Sequence, residues 1–105
     1  MRRGDVIPDP ALGPLREQID ALDREIVRLL NERARIGIEI GQAKAARGLA
    51  VHDPERERDV LRRVAAANPG PVPEEDLLAL YRAVIALTRR LEGGRGAGAP
   101  EEPAG

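Results

Sequence analysis

The sequence predicts an all-α fold of three helices per chain, the first so long that it calls for a second copy of the chain. Three observations lead there. Apolar residues recur at steps of three and four from Leu12 to Ala43, and two shorter stretches repeat that periodicity between proline and glycine breaks. The third observation is that the lengths of these helices do not match.

The first pattern begins near Pro14, a residue suited to a first helical turn. It runs through Leu12, Leu15, Ile19, Leu22, Ile26, Leu29, Ile36, Ile40 and Ala43, with one step missing at position 33, where Arg33 stands. A helix from about residue 13 to about 46 is ~50 Å long, and Gly48 is its expected stop. Gly37 and Gly41 share one face. Each glycine costs a helix about 1 kcal/mol relative to alanine, so a close helix approach is the expected reason for the pair.

Asp53 caps the second helix, with Pro54 at its first helical position. This helix presents Val60, Leu61 and Val64 on one face and ends before Asn68-Pro69-Gly70-Pro71. The third follows Pro73, where Glu74, Glu75 and Asp76 suit the positive helix N-terminus. Its stripe is Leu77, Tyr81, Val84, Thr88 and Leu91, with a parallel line at Leu78, Ile85 and Glu92.

At ~22 and ~27 Å, the two shorter helices laid end to end just cover the first. They leave open its other flank, apolar at Leu30 and Ile38. Self-association through the long helix is the simplest cover. The domain is expected to span 14–92. The tails, 1–13 and 93–105, are too rich in charge, proline and glycine to offset ordering entropy and are expected to be unstructured.

Composition narrows the function. The 105 residues make room for one small domain. Tyr81 is the only aromatic, so there is no platform on which nucleic-acid bases stack. A formal charge of −1 gives no field for nucleic acid or an anionic membrane, and neither is an expected partner. The absence of cysteine excludes disulfides, thiolate metal sites and thiol catalysis. No run approaches the ~20 apolar residues of a membrane span, and a cytoplasmic protein is expected.

The chemistry is expected where polar groups interrupt apolar lines. A guanidinium in a core seam is costly unless an anion meets it. For Arg33 that anion is either a glutamate, such as Glu32 or Glu57 of either chain, or a bound carboxylate. Lys44, the only lysine, lies about three turns further on the same side; its alternative is a solvated helix C-terminal cation. Glu57 borders an apolar face, with an intrahelical pair to Arg58 or Arg62 as the alternative. Thr88 is read as a core threonine bonding its own backbone, Glu92 as a surface residue, Asp53 as an N-cap and His52 as a solvated loop residue. With no nucleophile–base pair, phosphate loop or metal-ligand cluster, any catalysis is expected to work by positioning and electrostatics rather than through a covalent intermediate.

Taken together, several segments resemble the all-helical, type II chorismate mutases: Leu15-Arg16-Glu17-Gln18-Ile19-Asp20-Ala21-Leu22-Asp23, Glu32-Arg33-Ala34-Arg35, Gly41-Gln42-Ala43-Lys44 and Asp53-Pro54-Glu55-Arg56-Glu57-Arg58. The resemblance covers about residues 12–92. It implies a concerted rearrangement of chorismate, a small dicarboxylate, to prephenate, in the branch leading to phenylalanine and tyrosine. It also implies an intertwined helical homodimer with shared active sites and no cofactor. By the same resemblance, Arg16 reaches the neighbouring chain's site and Arg33 binds the second carboxylate. Lys44 meets the ether oxygen and a carboxylate. Asp53 and Glu57, with Arg56 beside them, hold the substrate hydroxyl, and Thr88 stands near a carboxylate where serine is usual.

One position departs from the family. Glutamine is common as the second donor to the ether oxygen, and here the matching residue is Glu92. An ionised carboxylate only accepts hydrogen bonds, so either burial keeps Glu92 protonated or the third helix is placed differently. The competing readings are an isochorismate–pyruvate lyase, against which Glu57 argues, a non-catalytic helical dimer, and a helix-turn-helix DNA binder, against which the net charge and the long first helix argue.

Overall fold

The structure, a computed structural model, describes residues 9–95. Three α-helices follow one another, α1 (Leu12–Arg47), α2 (Pro54–Ala67) and α3 (Glu74–Arg90), and a π-helical turn, Leu91–Arg95, continues α3. No strand occurs among the described residues. No helix among them is long and apolar enough to cross a membrane. The chain divides into two compact units, Met1–Glu32 and Arg33–Gly105.

In the first unit, Asp9 organises the entry to α1. Its carboxylate accepts from the Ala11 amide at 2.9 Å and its carbonyl from the Leu12 amide at 2.9 Å. The helix therefore starts at Leu12, two residues before Pro14, which still sits in the first turn where no amide hydrogen is required. Every large apolar side chain of the expected seam is exposed here: Leu12, Leu15, Ile19, Leu22, Ile26 and Leu29, with Val27 and Leu30 beside them. Arg28 pairs with Glu25 at 2.6 Å and with Glu32 at 3.5 Å along the helix surface. The Glu25 carboxyl is held below its ordinary range, chiefly by the hydrogen bond from Arg28.

The second unit holds the packing. α1 ends as a Schellman motif: Gly48 takes φ 69° and the Leu49 amide donates to the Lys44 carbonyl at 2.9 Å. Asp53 caps α2 by accepting from the Arg56 amide at 3.1 Å, with Pro54 following it. α3 begins after Pro73 with three acidic residues in its first turn. Ile85 of α3 is the one buried large apolar side chain among the described residues.

The face of α1 that turns inward is not its apolar stripe. Gly37 and Gly41 are buried and Arg33 and Lys44 half-buried, whereas Ile36 and Ile40 are 55% and 44% exposed. The two glycines allow the approach expected of them. A Cβ on Gly37 would stand 2.5 Å from Thr88 Cγ2, and one on Gly41 would stand 2.5 Å from the Glu92 carbonyl oxygen and 2.8 Å from its Cα.

Glu92 is reached through backbone, which cannot swing aside. Alanine at 41 gains about 1 kcal/mol of helix propensity but forces a shift costing about 1–3 kcal/mol. Gly41→Ala is therefore expected to lower the melting temperature by several degrees. Calorimetry checks this, and a raised melting temperature would contradict the close approach.

The tails correct the expected boundaries where they are described. Residues 12 and 13 are helical, and 93–95 belong to the π turn. Residues 9–11 form the turn into α1, and the rest of both expected tails, 1–8 and 96–105, lies outside the described residues.

Candidate active site

A cavity of about 300 Å³ lies within the second unit, at the lower end of the range of small-molecule sites. The C-terminal half of α1 contributes Arg33, Ile36, Gly37, Ile40 and Lys44. Val51, Asp53, Arg56, Glu57 and Val60 come from the following loop and α2, and Ile85, Thr88, Arg89 and Glu92 from α3 and its π turn. Seven of the eight site residues expected from sequence thus line one cavity. Arg16, the eighth, lies exposed on the N-terminal stretch of α1 and is not among the lining residues.

Arg33 is held on two sides. Its Nη1 donates to the Thr88 hydroxyl, and its guanidinium lies 5.6 Å from the centre of the Tyr81 ring. Among the described residues no carboxylate pairs with it, so the expected alternative of a bridge to Glu32 or Glu57 within the chain does not form. Thr88 does bond its own helix, donating to the Val84 carbonyl at 3.0 Å, and at the same oxygen it accepts from Arg33. The backbone bond and the contact with Arg33 coexist.

Lys44 turns inward rather than into solvent. Its Nζ donates to the Val51 carbonyl at 3.0 Å and lies 3.4 Å from Glu92 Oε1, with the two side chains only 20% and 13% exposed. An ammonium has three donors, so one remains for a ligand. Glu92 is not a surface residue: the π turn sets it against Lys44 on the cavity wall. π turns insert a residue into the helical register and so re-aim what they carry.

Glu57 does not pair along its own helix with Arg58 or Arg62. Arg89 of α3 donates to Glu57 Oε2 at 2.7 Å, and His52 Nε2 lies 3.8 Å from the same oxygen. Asp53 spends one carboxylate oxygen on the helix cap and still lines the cavity. Arg56 reaches Asp59 at 3.2 Å. Asp59 also takes Arg62 and Arg63, and the Arg63 hydrogen bond holds its carboxyl below the ordinary range. Asp59, Arg62 and Arg63 are absent from the cavity wall. Sequence reasoning missed Arg89 as the partner of Glu57 and the Val51 carbonyl as an acceptor for Lys44. A signal for Arg89 existed, since it follows Ile85 at i+4.

The cavity can take a compact anion. Arg33 and Lys44 present cations from one wall, and acceptors at Glu57 and Asp53 stand on another, beside an apolar floor of Ile36, Ile40, Val60 and Ile85.

Comparison with known proteins agrees. The family model described as chorismate mutase type II matches residues 15–93. The bifunctional chorismate mutase/prephenate dehydratase of Aquifex aeolicus is 41% identical over 77% of this chain and 24% of its own length. The protein of the same description from Neisseria gonorrhoeae is 48% identical over 73% of this chain and 21% of its own. The chain thus spans about a quarter of the length of these curated relatives. Among solved structures, the form II chorismate mutase of Thermus thermophilus superimposes with a TM-score of 0.76 at 39% identity, over 78% of this chain and 93% of that one. The chorismate mutase of Helicobacter pylori in complex with prephenate gives 0.72 at 31% identity, over 80% and 91%. By the extent of the family match and by these relatives, the chain belongs to the chorismate mutase type II family.

Proposed function

We propose that the chain is a chorismate mutase that rearranges chorismate to prephenate, working as an intertwined homodimer without a cofactor. The observation that carries this is the cavity wall of α1, where Arg33, free of any carboxylate among the described residues, stands with Lys44 over an apolar floor. A dicarboxylate needs cations at both ends, and negative charge grows on its ether oxygen as the bond breaks. A donor fixed at that oxygen binds the transition state more tightly than the ground state.

In this reading Arg33, steadied by Thr88, grips one carboxylate, and Arg16 of the partner subunit grips the other. Lys44 and Glu92 meet the ether oxygen, while Glu57 and Asp53, with Arg56 near them, receive the hydroxyl. The dimer is supported by the exposed seam from Leu12 to Leu30, too continuous for a monomer surface.

The test incubates purified protein with chorismate and, separately, with isochorismate, following ultraviolet absorbance and identifying products. Prephenate from chorismate supports the proposal. Pyruvate released from isochorismate alone points to the lyase, and no turnover of either to a non-catalytic dimer. Light scattering is expected to give about twice the 11.4 kDa of one chain, and a folded, active monomer excludes the shared site.

Glu92 carries a further prediction. A carboxylate only accepts hydrogen bonds, whereas a glutamine amide also donates. Glu92→Gln is therefore expected to exceed the parent in kcat. An unchanged kcat excludes Glu92 from the chemistry.

A further inference from the structure

We infer that Arg89 is a positioning residue of this site, acting through Glu57 to make its wall acceptable to a dianion. The inference rests on the proposed substrate and concerns a residue to which the sequence resemblance assigns no role. Glu57 is placed to receive a hydroxyl, yet its carboxylate faces a cavity meant for a molecule with two negative charges. Left alone it repels that molecule. The Arg89 guanidinium, 2.7 Å from Glu57 Oε2, supplies the missing positive charge from the neighbouring helix.

The geometry also divides the carboxylate. Arg89 and His52 both approach Oε2, and among the described residues nothing donates to Oε1. One oxygen is thus anchored and the other is left to accept a hydroxyl proton. His52 is a poor substitute for Arg89, being 3.8 Å away, 58% exposed, and charged only when protonated. Arg56, the other cation nearby, reaches Asp59.

Arg89 has no competing demand. A second groove on the outer side of the α2–α3 pair is lined by Pro54, Arg58, Leu61, Arg82 and Arg89, and Glu57 is its only acidic residue. Among the described residues no second carboxylate in that groove competes with Glu57 for Arg89. A pair linking two helices could instead serve only to hold them together. The two roles differ in one respect: a charge partner matters only while Glu57 is charged, and a tie between helices matters whatever occupies position 57.

The experiment compares the parent, Arg89→Met, Glu57→Gln and the double variant, by steady-state kinetics on chorismate and by calorimetric binding of prephenate. Arg89→Met is expected to raise KM and weaken prephenate binding about tenfold, the scale of a half-exposed charged hydrogen bond. In the Glu57→Gln background the same substitution is expected to change both by less than about twofold, because a neutral amide needs no counter-charge. Arg89→Lys, which keeps the charge, is expected to recover most of the loss. Equal factors in both backgrounds, or no rescue by lysine, overturn the inference and make Arg89 a structural tie. A parent that turns over no chorismate and binds no prephenate overturns the proposed function itself, and is told apart by failing before any substitution is made.

Discussion

Alanine at position 33 is expected to stop turnover, alanine at position 16 to do the same, and a mixture of the two dead proteins to work. Arg33→Ala removes the cation that Thr88 and Tyr81 hold against the cavity. Truncating one member of a desolvated charge pair costs about 2–5 kcal/mol, or roughly 30- to 4,000-fold in kcat/KM at ~1.4 kcal/mol per tenfold. The fold is expected to survive, because Thr88 keeps its bond to the Val84 carbonyl and the α3 backbone loses nothing. Arg16→Ala is expected to cost a similar factor for a different reason. Its guanidinium lies on the exposed stretch of α1 and serves the other subunit under the proposed arrangement.

Refolded together, the two variants are expected to form heterodimers in which, under the proposed arrangement, one site has both arginines and the other has neither. Activity is expected to return in proportion to heterodimer formed, read by the chorismate assay on samples whose exchange is confirmed by mass. If exchange occurs and activity stays absent, the two arginines do not meet on one substrate.

Lys44→Ala is expected to lower kcat by about 10²-fold or more, the scale of losing an oxyanion donor, with a smaller change in KM. Lys44 is held by the Val51 carbonyl and by Glu92, so its ammonium is already oriented before substrate arrives. Preorganisation of this kind favours charge that develops during the reaction over charge already present. Its removal also leaves Glu92 Oε1 without the nitrogen that faces it at 3.4 Å, which adds to the loss. A change confined to KM would mean that Lys44 holds only the ground-state carboxylate.

The helices and their breaks were legible because each carries a local signal: Gly48 beyond α1, Asp53-Pro54 opening α2, Pro73 before α3. Local signals did not reveal which face of α1 turns inward. Periodicity marked Ile36 and Ile40 for burial, yet the helix approaches its neighbours through Gly37 and Gly41, where the absence of side chains lets backbones close. The apolar stripe then becomes cavity floor and open surface.

Arg33 was readable as an interruption in that stripe. Glu57 was readable as a polar group at an apolar border, but its partner stands 32 residues away on another helix, and the i+4 step from Ile85 marks only the face of α3 that Arg89 occupies, not the residue it meets. Glu92 sat on the Leu78–Ile85 line in a regular helix, and the π turn that aims it at Lys44 leaves no mark in the periodicity.

Thr88 and Gly37 bear on how this sequence can change over generations. The threonine methyl occupies the space that a side chain at 37 would need. A serine at 88 keeps the hydroxyl that Arg33 and Val84 require but vacates that space. Alanine at 37, welcome to the helix by propensity, therefore fits without a shift once serine has appeared at 88. The reverse order passes through a clash that something must shift to relieve, at about 1–3 kcal/mol, so of the two mutational routes between these pairs the one through serine is the less costly.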